Sequence, residues 1–252
     1  MESILVSKKA LLIGINYTGT SNALNGCIND VTNMKEYLMK NGYNDQNIKV
    51  LSDTSEVKPT RVNILTHLLD LVISDATTLF FHYSGHGSYT KNEDGSETDG
   101  KDECLCPIDY SSAGMIIDDE IRGILQCLNR GKRLIMILDC CHSGSGTDLC
   151  YNLYERVGKY SMIRDSKQTK TRGEVVMISG CKDDQTSADS YISGKYQGAM
   201  TNSFLYVTRE YPYLTYEDLV RKLRANLKED KYDQIPCLSS GQSLKLTSQF
   251  VV

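Results

Sequence analysis

Long apolar runs are absent from this sequence. No stretch of its 252 residues approaches the roughly 18 consecutive apolar residues that a membrane-spanning helix requires. The segment from Met1 to Lys9 also lacks the apolar core of a secretory signal. These absences exclude a helical membrane span and predict a cytoplasmic protein with no membrane partner.

An excess of positive charge is missing too. The formal net charge is −4, which gives no support to a nucleic-acid partner. With 40% hydrophobic and 24% charged residues, the composition is that of an ordinary globular chain, long enough to bury one substantial core. We therefore expect residues 1–252 to form a single domain.

The nine cysteines lack the regular spacing of a disulfide framework and contain no paired C-x₂-C knuckles. Two groups, Cys104-x-Cys106 and Cys140-Cys141-His142, lie at predicted strand ends, which disfavours structural zinc. Reduced thiols in the cytosol are the better interpretation.

Apolar runs alternate with helical patterns along much of the chain. The runs predict strands at 9–16, 48–51, 78–83, 133–138 and 174–179, with a last strand at 244–252. Apolar residues three or four apart predict helices that begin near Gly26, Thr60, Asp118, Thr201 and Tyr216. This alternation predicts an α/β fold, in which a mostly parallel central sheet has helices on both faces.

Two of the predicted strands end in residues that can carry out chemistry. Thr78–Tyr83 leads into Ser84-Gly85-His86-Gly87, and Arg133–Leu138 leads into Asp139-Cys140-Cys141-His142. Because the carboxyl ends of parallel strands meet at one edge of a sheet, an imidazole and a thiol are expected to lie together there and form a nucleophile. The alternative is that both are ordinary buried residues. The residues alone do not separate Cys140 from Cys141.

Charge is concentrated in two segments. Between Glu93 and Glu120 there are ten acidic residues and one basic residue, typical of a solvated loop or of a calcium site, although no EF-hand frame is present. From Tyr151 to Gly173 there are six basic and two acidic residues. We interpret residues 151–173 as an exposed basic linker between a region at 9–150 and one at 174–252.

Four motifs, in this order along the chain, resemble those of the type I metacaspases, which are caspase-like cysteine peptidases. The motifs are Gly26-Cys27-Ile28-Asn29-Asp30, Tyr83-Ser84-Gly85-His86-Gly87, Asp139-Cys140-Cys141-His142-Ser143-Gly144 and the segment 179–189. The similarity extends from Lys9 to the C-terminus. It implies a caspase-like (caspase–hemoglobinase) fold.

The resemblance also implies roles for individual residues. It makes Cys141 the nucleophile and His86 the base, with the backbone N–H groups of Gly87 and Cys141 forming the oxyanion hole. The residues that it places around the substrate are Cys27, Asp30, Ser84 and Asp139. The residues that it places around a stimulating calcium ion are Asp102, Asp118, Asp119 and Asp148.

The charge of this pocket predicts the specificity. Carboxylates at Asp30 and Asp139 would repel an aspartate side chain and pair with Arg or Lys, so we expect cleavage of protein or peptide substrates after Arg or Lys. Asp30 has a second interpretation, as an acid that satisfies N–H groups at the start of its own helix. A peptidase of this specificity is also expected to cut itself in the exposed basic segment 151–173.

Two rival functions stay open from the sequence. One is an aspartate-specific peptidase, which the pocket charge disfavours. The other is a non-proteolytic, calcium-responsive protein of the same fold, with a binding or aggregate-handling role. The resemblance further favours a monomer.

Overall fold

An eight-stranded sheet flanked by helices forms the centre of the structure, a computed structural model that describes residues 7–92, 101–140, 149–180, 189–192 and 195–252. In chain order the described elements are β1 (Lys8–Gly14), α1 (Cys27–Lys40), a 3-10 turn (Asp45–Asn47), β2 (Ile48–Ser52), α2 (Arg61–Ile73), β3 (Thr78–Ser84), β4 (Gly87–Lys91), β5 (Lys101–Leu105), α3 (Tyr110–Ala113), β6 (Ile116–Ile117), α4 (Asp118–Leu125), β7 (Arg133–Asp139), β8 (Tyr151–Arg156), β9 (Lys159–Arg164), β10 (Glu174–Ser179), β11 (Asp189–Ile192), β12 (Lys195–Gly198), α5 (Ala199–Glu210), α6 (Tyr216–Glu229) and β13 (Cys237–Ser240).

The central sheet has the strand order β2-β1-β3-β7-β10-β13-β8-β9. Its first five strands are parallel, and the last three each pair antiparallel with their neighbours. Ser84 is in register with Asp139, and Leu138 with Ser179, so β3, β7 and β10 end at the same edge. The prediction that the strand leading to His86 lies beside the strand leading to the cysteines is confirmed.

Both faces of the sheet are covered by helices, as an α/β fold requires. Alternate residues of β3 point to opposite faces: Phe80 packs with apolar residues of α1, α5 and α6, whereas Phe81 packs with those of α2 and α4. Four of the five parallel strands, β1, β3, β7 and β10, are buried on both sides, which explains their continuous apolar runs. The predicted fold class is confirmed.

Two expectations about local structure were wrong. The segment 151–173, expected to be an exposed linker, instead forms the hairpin β8–β9 over most of its length, joined to the central sheet through β13. Its alternating Leu153 and Met162 side chains pack against the core, while its charged side chains face solvent. The stretch 244–252 is not a strand: it makes a single bridge from Gln249 to Thr215.

Within the residues that the structure describes, no helix is both long enough and apolar enough to cross a bilayer. The seven described cysteines form no disulfide.

A histidine inside the central sheet gives the fold a predicted pH dependence. His82 is fully buried on β3, with Nε2 3.1 Å from Thr201 Oγ1, and burial lowers its pKa to about 3. In the unfolded chain its pKa is about 6.5, so below that pH only the unfolded state takes up the proton. The free energy of unfolding should therefore fall by about 1.4 kcal/mol per pH unit, from pH 6.5 downward, because of this residue.

Urea unfolding of wild type and His82→Gln between pH 7.5 and 5 measures this contribution. His82→Gln should lower the free energy of unfolding at neutral pH. Its free energy of unfolding should also depend less steeply on pH, by the amount that corresponds to the uptake of about one proton on unfolding. The control His67→Gln removes a partly exposed imidazole on α2 in place of the buried one. Identical slopes in wild type and His82→Gln would contradict the assignment.

Candidate active site

His86 lies where β3 leaves the central sheet and the chain turns into β4. Gly85, just before it, packs closely against two tyrosines: a Cβ built there would be 2.9 Å from Tyr83 Oη and 3.1 Å from Tyr17 Oη. The Gly85 N–H points to Asp139 O at 3.4 Å, which ties the turn to the end of β7. A larger residue at position 85 would push His86 away from that strand end.

The His86 imidazole is oriented by a backbone carbonyl. Its Nε2 lies 2.7 Å from Asn22 O, and its ring centroid lies 4.7 Å from that of Tyr17. A carbonyl oxygen can only accept, so Nε2 carries the hydrogen and the neutral ring keeps its lone pair on Nδ1. His86 is thus arranged to take up a proton at Nδ1.

Two buried tyrosine hydroxyls form hydrogen bonds with the backbone of the turn that contains His86. Tyr17 Oη accepts the His86 N–H at 3.0 Å and donates to Cys106 O at 2.5 Å, while Tyr83 Oη donates to His86 O at 2.8 Å. Burial raises the pKa of both tyrosines, so they stay neutral donors. Tyr17 adopts a left-handed φ of 49°, which costs about 1–3 kcal/mol and is retained because these bonds fix it.

The pairing of β4 with β5 sets the direction of the Gly87 N–H. Cys106 N donates to His86 O at 3.1 Å, so Gly87 and Leu105 form a non-hydrogen-bonded pair of the β4–β5 ladder. The Gly87 N–H therefore points away from β5. This orientation suits a donor to a substrate oxygen.

The structure gives information on one of the two cysteines that are candidates for the nucleophile. Cys140 is 1% exposed and packs in the core between the sheet, α2 and α4. Its thiol sits in an apolar environment close to Tyr83. Such a thiol is a poor nucleophile. Cys141 lies outside the described residues.

Three of the four predicted pocket residues come together next to His86. Ser84 Oγ donates to Asp30 Oδ2 at 2.6 Å, and Asp30 and Asp139 are both 1% exposed. The fourth, Cys27, begins α1 and is buried near the Tyr17 hydroxyl. The Asp30 carboxylate bridges α1 to β3 and β12, so the expectation that it only satisfies its own helix start is not supported.

The sequence did not reveal the residues that hold these acids. Gly198 N donates to both carboxylate oxygens of Asp30, at 2.9 and 3.0 Å, and Thr201 N donates to Asp139 Oδ2 at 2.7 Å. Both N–H groups belong to the start of α5, where free amides and the helix dipole favour negative charge. A Cβ at Gly198 would lie 2.2 Å from Asp139 Oδ2 and 2.8 Å from Asp30 Oδ2, so the two carboxylates are close neighbours.

Three of the predicted calcium ligands lie at the small sheet formed by β4, β5 and β6: Asp102 is on β5, and Asp118 and Asp119 begin α4 directly after β6. Asp118 is 1% exposed, and its carboxylate accepts from Glu103 N at 3.2 Å and Asp119 N at 2.9 Å. Burial, with nearby Asp102, raises the pKa of Asp118 to about 6. Carboxylate oxygens are ligands that calcium prefers, so the donor chemistry fits.

Within the described ranges, however, no three His, Cys, Asp or Glu side chains are placed to hold a metal ion together. The fourth predicted ligand, Asp148, lies outside the described residues.

Comparison with known proteins identifies the family. The model of the metacaspase peptidase C14 domain matches residues 8–150. The chain belongs to the metacaspase family. Metacaspase-1 of Mycosarcoma maydis is 38% identical over 100% of this chain and 74% of its own length, and Metacaspase-1 of Eremothecium gossypii is 38% identical over 98% and 66%. Metacaspases are caspase-like cysteine peptidases, as the sequence motifs predicted.

Solved structures confirm the fold. A protein of Geobacter sulfurreducens superposes with a TM-score of 0.70 and 22% identity, covering 96% of this metacaspase and 97% of that chain. Caspase-1 of Spodoptera frugiperda superposes with a TM-score of 0.61 and 12% identity, covering 97% and 88%.

Tyr17→Phe tests the role of the buried hydroxyl. The variant leaves the His86 N–H without its acceptor and loosens the turn, but it leaves the pocket acids in place. We expect kcat for a peptide substrate to fall about tenfold with KM nearly unchanged, because misplacing a catalytic group affects the chemical step.

Tyr43→Phe is the matched control, because the buried Tyr43 hydroxyl has no hydrogen-bond partner in the described part of the chain. It should leave both kcat and KM at wild-type values. A Tyr17→Phe variant that keeps full kcat, or that loses activity only in proportion to its folded fraction, would refute a positioning role.

Proposed function

We propose that this metacaspase is a cysteine endopeptidase that cleaves proteins or peptides after Arg or Lys. The observation that carries the proposal is the position of His86, whose Nε2 is fixed by Asn22 O beside the buried carboxylates of Asp30 and Asp139. The family supplies the peptidase chemistry. The local charge supplies the specificity.

In the proposed reaction, the Cys141 thiolate attacks the scissile carbonyl carbon after its proton passes to His86 Nδ1. The oxygen of the tetrahedral intermediate accepts from the N–H groups of Gly87 and Cys141, and each such donor is typically worth about 3 kcal/mol. Protonated His86 then protonates the leaving amine. Water, deprotonated by His86, hydrolyses the acyl-enzyme and regenerates the thiol.

The assignment of the nucleophile to Cys141 has support from the neighbouring residue. Cys140 is packed in the apolar core on the α2–α4 side of the sheet. It therefore suits a structural role, and the family motif leaves the chemistry to Cys141.

Specificity for a basic side chain follows from the two carboxylates. Asp30 and Asp139 accept hydrogen bonds from N–H groups at the start of α5, where the helix dipole favours negative charge. An arginine guanidinium would bind a carboxylate through two parallel hydrogen bonds, and a lysine ammonium through one. An aspartate side chain would be repelled, so an aspartate-specific peptidase is disfavoured.

Calcium stimulation is part of the proposal. Asp102, Asp118 and Asp119, with Asp148, would hold the ion, and bound calcium would neutralise their mutual repulsion. Asp118 opens α4 directly after β6, which pairs with β5 in the small sheet that continues from His86 through β4. Ordering this sheet is the way in which calcium would favour the active arrangement.

The proposed setting is a monomer in the cytoplasm with protein substrates. The irregular spacing of the nine cysteines, without a disulfide framework, supports a reducing compartment. The edge strand β9 carries Lys159 and Arg164 at its ends, and charged residues on an edge strand oppose pairing with a second copy.

Turnover of fluorogenic peptides ending in Arg, Lys or Asp, with calcium added or chelated, tests the proposed function. We expect calcium-dependent release from the Arg and Lys peptides only. Cys141→Ala and His86→Ala should reduce turnover by at least about 10³-fold, since the thiolate–imidazole pair acts as a unit. Cys140→Ala is the matched control, and it should retain the activity of its folded fraction.

Cleavage of the Asp peptide would contradict the pocket assignment, and turnover independent of calcium would contradict the metal assignment. An absence of turnover in every condition would favour the non-proteolytic, calcium-responsive alternative.

Self-processing in the basic segment is also proposed, and the sheet suggests where. Strand β8 runs parallel to β10, because both pair antiparallel with β13, so the hairpin tip at 156–159 lies at the same end of the sheet as Ser179. The exposed Val157 marks this tip. Lys170 and Arg172 precede β10 at its opposite end, and the six residues of β10 span about 17 Å. The tip is therefore the expected site of cleavage.

Adding calcium to dilute wild-type protein, which favours cutting within one molecule, and mass analysis of the earliest products locates the cuts, with Cys141→Ala as the uncut control. We expect the first cut after Arg156 or Lys159, and its loss in Arg156→Gln/Lys159→Gln. Lys170→Gln/Arg172→Gln, which removes the same charge, should be cut normally. A first cut after Lys170 or Arg172, or no cut between 151 and 173, would refute this site.

A further inference from the structure

A cavity lies at the opposite end of the central sheet from His86. Its volume is about 680 Å³, and it opens between the turn 130–133, which leads into β7, and the segment 170–174, which leads into β10. The Arg133–Glu174 register places both walls at the amino ends of these strands. The cavity is therefore separate from the peptidase site.

Five of the side chains around this cavity are cationic: Arg130, Lys132, Arg133, Lys170 and Arg172. Its single acidic side chain, Glu174, is already paired with Arg133 at 3.2 Å. The chain as a whole has a net charge of −4, so this concentration of positive charge is a local feature. Its expected ligand is an anion.

The five cationic side chains differ in the contacts that they make within the protein. Lys132 Nζ donates to Ser74 O, and Arg133 donates to the Tyr216 hydroxyl. Lys170 lies over the Tyr151 ring, 5.3 Å from its centroid. Arg130 and Arg172 are exposed, one on each wall. Both line the cavity, and each guanidinium group is a candidate bidentate donor to an anion.

The walls are held at a fixed separation. Glu174 N donates to Lys132 O at 2.9 Å, and Gln242 Nε2 donates to Arg172 O at 2.7 Å and Thr171 O at 3.0 Å. Gly173 packs so closely that a Cβ there would lie 2.6 Å from Asn129 O. A ligand would thus meet a preorganised site, which lowers the entropic cost of binding.

We propose that this cavity binds a compact polyphosphate anion. Phosphate groups match the planar fork of arginine and carry more than one charge in a small volume, whereas the carboxylates of an acidic peptide carry one each. The cationic groups cluster around one cavity and do not form an extended stripe, which favours a small multivalent ligand over a nucleic-acid backbone. This site is independent of the proposed peptidase activity.

Calorimetric titration with sodium tripolyphosphate tests the proposal. The buffer should contain EDTA, because tripolyphosphate also binds calcium. Wild type should bind about one equivalent saturably. Arg130→Gln/Arg172→Gln should bind at least about tenfold more weakly, because both bidentate donors are lost.

Arg156→Gln/Lys159→Gln is the matched control, since it removes two exposed cations at the tip of the β8–β9 hairpin, at the other end of the sheet, and the same net charge. Its affinity should stay within about twofold of wild type. Absence of saturable binding would overturn the proposal, and so would equal weakening in the two double variants. Tighter binding of a single-stranded oligonucleotide or of an oligoglutamate peptide would overturn the choice of ligand.

Discussion

The parallel pairing of β3 with β7 is the constraint on which the site depends. It places Ser84 opposite Asp139, so both strands leave the sheet at one edge, with His86 two residues beyond the first and the cysteines directly after the second. The register is fixed by side chains buried on both faces, because a one-residue slip would exchange Phe80 and Phe81 between two different cores. The apolar core thereby sets the position of the proposed catalytic groups.

The start of α5 is the second organising feature. Its amides hold Asp30 and Asp139, and the Thr201 side chain contacts His82 beneath them. Two neighbouring carboxylates at 1% exposure would be costly without such donors. The helix makes it possible to keep negative charge beside the proposed nucleophile, where a basic substrate side chain would be recognised.

Much of this arrangement could be predicted from the sequence, because buried strands and amphipathic helices leave periodic patterns and the family motifs mark His86 and the pocket acids. The contact of Asn22 with His86 could not be predicted, because Asn22 acts through its backbone carbonyl, a group that every residue possesses. The roles of Gly198 and Thr201 could not be predicted either, because only folding brings their backbone amides to acidic residues more than 60 positions away in the sequence. The β8–β9 hairpin did leave a signal: Leu153 and Met162 alternate with polar residues, but the charge of the segment obscured it.

The most direct test of the account is to map the covalent adduct formed by a peptidyl-arginine chloromethyl ketone. This reagent alkylates a thiolate fastest when its arginine is bound in the adjacent pocket. In the presence of calcium, the account predicts a single adduct on Cys141 and none from the corresponding aspartate reagent. An adduct on Cys140, or equal labelling by the aspartate reagent, would contradict it.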